Sequence, residues 1–204
     1  MRTHKRKLPT KPWNIPPIPD HGDVDANLTY AAVGRAMSEW EELELYLARL
    51  YAAFTGVTPL KAISTSAYRN AAIFRERARV IEEVAKAYFI KHPNQEIEAE
   101  FSNLICEIRE FSARRNDIVH GVVKLIWFGD TNAATLDEAL IRDEHMPAPA
   151  TYRDKKFQGD RTPDYLFRSN EIDHFTDHFH NLRLNRVEPL IGRVLRQVIR
   201  DVLP

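Results

Sequence analysis

From about residue 25 to 54 the apolar positions Ala36, Trp40, Leu43, Leu47, Leu50 and Phe54 are spaced alternately by four and three. That rhythm places them on one face of a long helix, with Gly56 as its C-terminal stop. Thr58 before Pro59 reads as an N-cap with proline at the first helical position, opening a short turn toward Ser64. A second helix is expected over about 67–90, with Ile73, Val80, Val84 and Tyr88 inward, ending at Pro93. A third starts near Asn94 and carries Ile97, Phe101, Leu104, Ile108 and Phe111 in the same rhythm.

After His120 the pattern changes. Val122, Val123, Leu125, Ile126, Trp127 and Phe128 are β-branched, aliphatic or aromatic and are closed by Gly129-Asp130, which predicts a strand. Pro147, Pro149, Gly159 and Pro163 then interrupt a charged stretch, so 122–168 reads as a β-containing insertion. A second strand is expected at 165–168, pairing with 122–128. Ser169 is expected to cap a last long helix through Ile172, Phe175, Phe179, Leu182, Leu190, Val194 and Val198, kinked near Pro189. The first 24 residues combine basic side chains with prolines and have no apolar period, which predicts an extended or disordered arm, pinned by Trp13. The expected fold is mainly α, an antiparallel helical bundle in one domain over 25–204 with a small β-containing insertion.

Composition narrows the function classes. An apolar content of 44% is globular, and no apolar run approaches the roughly 20 residues that span a bilayer, so no membrane partner is expected. The basic start is followed by Pro12, Pro16, Pro17 and Pro19 instead of an apolar stretch, which argues against a signal peptide and for a cytoplasmic protein. The single cysteine, Cys106, lies in an apolar run and is expected in the core. Lys and Arg total 29 and so do Asp and Glu. Any polyanion site must therefore come from local clustering.

One such cluster is segment 113–121, where Arg114, Arg115, Asn116, Asp117 and His120 precede Gly121. If the third helix continues through it, Asn116 and His120 lie four apart on one face and the arm of Arg115 can swing to them. A guanidinium grips phosphate oxygens with its planar fork, and an imidazole can exchange a proton at neutral pH. Together they supply the parts of metal-free phosphodiester cleavage. The opposing reading has Arg115 and Asn116 closing a helix end and His120 satisfied before a glycine turn.

Arg115-Asn116-x-x-x-His120-Gly121 resembles the arginine–histidine motif of HEPN domains, in the form with a polar residue after the arginine and glycine after the histidine. The resemblance implies a bundle of four to five helices, a homodimer in which two motifs meet, and metal-independent endoribonuclease activity without a cofactor. It assigns phosphate binding to Arg115, orientation to Asn116 and proton transfer to His120. Arg114 also satisfies the spacing. It further implies RNA as substrate; a toxin or defence effector is one role such an activity would serve, with a cognate antitoxin as a candidate partner that the sequence itself does not reveal. A non-catalytic binding or dimerisation module is the alternative, because the family includes such members.

Other candidates carry less. Arg168 and His174 also satisfy the bare arginine–histidine spacing. His174 and His178 are four apart, with His180, Asp173 and Asp177 nearby, but no HExxH is present and no metal is expected. Arg186, Arg193 and Arg200 recur every seven residues and form a stripe that is either a solvated face or an RNA contact. There is no phosphate-binding glycine loop and no G-x-S-x-G, so nucleoside triphosphate hydrolysis and esterase chemistry have no support. No repeat of 20 to 50 residues indicates a solenoid.

Overall fold

The computed structural model describes residues 11–17, 19, 22–58, 67–127, 143–149 and 165–202. Its helices are α1 (Ala26–Thr55), α2 (Ala67–Asn70), α3 (Phe74–Lys91), α4 (Gln95–His120), α5 (Ser169–Asn181) and α6 (Glu188–Val202). A π-helical turn, Leu182–Val187, joins α5 to α6, and the described residues also form two strands, β1 (Gly121–Trp127) and β2 (Asp143–Pro149). The protein is thus mainly α, as its periodicity predicts. Most of the expected arm and the expected turn from Pro59 toward Ser64 lie outside the described residues, as do 128–142 and 150–164. Among the described residues no helix is long and apolar enough to cross a membrane.

Two compact units divide the chain: Met1–Ser38 with Ala113–His178, and Glu39–Ser112 with Phe179–Pro204. In the second unit the apolar stripe of α1 is buried as expected, Trp40, Leu43, Leu47 and Leu50 having no exposed surface. Burial of each such side chain contributes about 1.5–3 kcal/mol. The Trp40 ring meets Phe74 and Phe179 edge-on at 5.2 and 5.1 Å between centroids, and Phe111 meets Phe179 at 5.9 Å. Gly56 ends α1 with φ at 70°, the left-handed conformation that glycine adopts without strain.

The expected second helix is broken. Residues 71–73 separate α2 from α3, because Arg77 donates from Nε to the Ala71 carbonyl at 3.1 Å while the Glu76 carboxylate accepts the Ala72 amide at 3.2 Å. Arg77 also pairs with Glu44, whose carboxylate accepts the Trp40 indole N–H at 2.7 Å. The Tyr68 hydroxyl donates to the Glu44 carbonyl at 3.1 Å. Burial pushes that phenol far above the usual tyrosine range, and Glu41 adds to the effect.

The inward face of α3 also differs from expectation. Ala78, Ile81, Ala85, Tyr88 and Phe89 are buried, whereas Ile73 is exposed and Val80 and Val84 are half-buried. The two alanines are inward positions that a search for large side chains passes over. In α4 the expected stripe from Ile97 to Phe111 is buried throughout, but Cys106 is exposed. Leu104 and Ile105 point inward, and the next position on the helix turns out.

Near Pro189 the expected disturbance takes the form of the π-helical turn, in which the Glu188 amide reaches back to the Arg183 carbonyl. Proline has no amide hydrogen and its ring crowds the carbonyl four residues earlier. A wider turn before it relieves both.

In the first unit, Ser169 does not cap α5. The carbonyl of Arg168 accepts the first amides, and the Glu171 carboxylate accepts the Arg168 amide at 2.8 Å. Ser169 donates instead to Asp23, through its amide and its hydroxyl, both at 2.8 Å. The partner of β1 is β2, antiparallel, with Gly121 opposite Pro149 and Trp127 opposite Asp143. Residues 165–168 are therefore not the second strand. Tyr165, Leu166 and Phe167 are all buried, with Tyr165 stacked on Phe167 at 4.9 Å and Phe167 edge-on to Phe175 at 5.5 Å. Three consecutive buried residues leave no solvent face for a strand to alternate with. Two prolines in β2 are tolerated because a strand at a sheet edge does not need every amide.

Candidate functional site

Helix α4 continues unbroken through Arg114, Arg115, Asn116 and Asp117 to His120, and Gly121 begins β1. Three contacts fix this last stretch. Ile118 is buried and anchors one face. On the same side, one turn earlier, Arg114 pairs with Asp117 at 3.1 Å, and both side chains are largely covered. The Tyr165 hydroxyl donates to the Asp117 carbonyl at 2.8 Å, tying the end of α4 to the segment before α5. A basic residue in the final turn also suits the negative end of the helix dipole.

Asn116 and His120 lie one turn apart and both are exposed. Arg115 is half-buried and donates from Nη1 to Asn116 Oδ1 at 3.3 Å. The guanidinium of Arg115 thus reaches the face that carries His120, while that of Arg114 is held by Asp117. Val119 and Val122 beside them are exposed apolar side chains. The arrangement offers a cation, an amide and an imidazole on an accessible helix end.

The remaining candidates are placed elsewhere. Arg168 pairs with Glu171 at 3.4 Å at the start of α5. His174 and His178 meet with ring centroids 4.6 Å apart. Among the described residues no group of three or more His, Cys, Asp or Glu could hold a metal ion. Asp173 accepts hydrogen bonds from Nε and Nη2 of Arg35, at 2.8 to 3.0 Å. In the other unit His180 and Arg183 share the Glu39 carboxylate at 3.2 and 3.1 Å.

The basic stripe is partly neutralised. Arg186 pairs with Glu107 at 3.0 Å, and Arg193 pairs with Glu100 and, at 3.6 Å, with Glu96. Arg200 lines a polar pocket with Arg193 and Arg196. Sequence reading passed over Arg196, although its spacing of three from Arg193 and four from Arg200 is visible in the chain. Tyr165 was also passed over, because its role depends on a contact 48 residues away.

No family model, curated protein or solved structure matches the chain.

Proposed function

We propose that the end of α4 is the site of a metal-independent endoribonuclease of HEPN type, working as a homodimer in the manner of a toxin or defence effector. The observation that carries this reading is the continuity of α4 through His120. It leaves Asn116 and His120 on one exposed face with the Arg115 guanidinium alongside. His120 removes the proton of a ribose 2′-hydroxyl, whose oxygen attacks the adjacent phosphorus as the bond to the 5′-oxygen breaks, and the imidazolium so formed returns that proton to the leaving 5′-oxygen. Arg115 stabilises the charge that develops on the phosphate oxygens, and Asn116 orients the phosphate. The products are a 2′,3′-cyclic phosphate and a 5′-hydroxyl. The nucleophile is internal to the substrate and already near phosphorus, so the chemistry needs no metal-activated water.

Incubation with labelled RNA in EDTA tests this directly. Wild type should cut, and His120→Ala and Arg115→Ala should each fall by roughly a hundred- to ten-thousandfold while remaining folded and, by light scattering, dimeric. Cleavage at the wild-type rate by His120→Ala, or its loss on adding EDTA to wild type, would overturn the mechanism. The exposed Val119 and Val122 favour a second reading, a non-catalytic surface for a partner such as an antitoxin or a second copy. That reading takes over if no RNA is cut and Val122→Asp abolishes association.

A further inference from the structure

On α6, Arg193, Arg196 and Arg200 occupy one row of the helix, spaced by three and four. Like charges at these spacings destabilise a helix unless something offsets them. For Arg193 the offset is internal, since Glu100 and Glu96 of α4 face it. Among the described residues no acidic side chain pairs with Arg196 or Arg200.

All three arginines line one pocket of about 230 Å³, together with Asn94, Glu96 and Gln197. Its walls are otherwise set. Asn94 caps α4 by accepting the Ile97 amide at 3.2 Å, and its Nδ2 donates to Gln197 Oε1 at 3.4 Å. Glu96 is 87% exposed and only loosely held, so it can turn to solvent when an anion enters. The Arg196 guanidinium lies back over the preceding turn, where its Nη1 comes within 3.4 Å of the position a side chain on Gly192 would occupy. The residue itself stays exposed, so its fork is open to an incoming anion. Three guanidinium groups face two carboxylates here, leaving one positive charge in excess and two planar forks available.

We infer that this pocket binds a phosphoryl group. Guanidinium forks match the paired oxygens of phosphate in geometry and charge, and a small polar pocket excludes larger apolar ligands. The group is carried by a nucleotide, by a strand terminus or by a nucleic-acid backbone, all of which present the same oxygens. The inference does not depend on cleavage at His120.

Titration calorimetry of the full chain with inorganic pyrophosphate tests it, using His120→Ala protein in parallel. Both proteins should bind saturably and equally, weakening with salt. Arg196→Gln/Arg200→Gln should lose at least about tenfold in affinity, as expected when charge-assisted hydrogen bonds are removed. Arg186→Gln, which lies outside the pocket, should bind like wild type. Absence of binding by wild type, unchanged binding by the double variant, or equal losses in the double variant and Arg186→Gln would each overturn the proposal. Competition by a 2′-O-methyl RNA decamer then identifies the source. Competition only when its 5′ end is phosphorylated assigns the site to a terminal monoester, and competition regardless of that end assigns it to backbone diesters. Failure of the decamer to displace pyrophosphate in either form leaves free nucleotides as the source.

Discussion

Asp23 holds the start of α1 to the start of α5, and the cost of removing it can be worked from its contacts. The residue is 9% exposed, and its carboxylate accepts the Thr29 hydroxyl at 2.6 Å and the Ser169 amide and hydroxyl at 2.8 Å. In Asp23→Ala all three donors lose this acceptor. The Ser169 hydroxyl is half-buried and can turn to water, so it adds little. Its amide belongs to the first turn of α5, where a lost cap costs about 1 kcal/mol. The Thr29 hydroxyl is fully buried, and disrupting its hydrogen bonding costs about 1–3 kcal/mol. The total of about 3 kcal/mol corresponds to a fall in Tm of about 6–12 °C for a chain of this size. Urea unfolding followed by circular dichroism at the helical band gives the free energy directly, and an unchanged slope against urea shows that the same surface unfolds. A loss under about 1 kcal/mol would refute the reasoning. Because Ser169 follows the segment whose Tyr165 holds the Asp117 carbonyl, the same variant should also lower any activity that depends on His120, below the temperature at which it unfolds.

Tyr68 makes stability sensitive to alkali. Its folded pKa is raised, so the stability it contributes is complete below the ordinary phenol value of 10.0 and is lost as pH rises above it. Unfolding free energy should fall by up to about 1.4 kcal/mol per pH unit there, and Tyr68→Phe should remove that slope in a pH series of urea titrations. Trp40→Phe should destabilise by about 2–4 kcal/mol, because it opens space against Phe74 and Phe179 and takes the indole donor from buried Glu44. A loss below 1 kcal/mol on thermal unfolding would show that the Glu44 network re-forms without it.

Much of the framework was legible along the chain because helix periodicity is local. The stripes of α1 and α4, the stop at Gly56 and the disturbance before Pro189 all follow from residues within a few turns of each other. So does the cluster at 114–121, whose residues are neighbours in sequence, and the row of arginines on α6. Other features were decided by contacts over long separations, which no window of sequence contains. The gap between α2 and α3 depends on Arg77 meeting Glu44 of α1, and the tie that draws Ser169 away from a capping role depends on Asp23, 146 residues away. The pairing of β1 was misread for the same reason: the sequence supplies strand candidates, but the choice among them is made by which backbone comes alongside. A local run of Tyr165, Leu166 and Phe167 looks like a strand until the core takes all three side chains. Within the site, sequence could not choose between Arg114 and Arg115. The tertiary structure separates them physically, since the side of α4 that buries Ile118 also draws Arg114 onto Asp117, and the neighbouring position one residue on carries its guanidinium to the exposed face of Asn116.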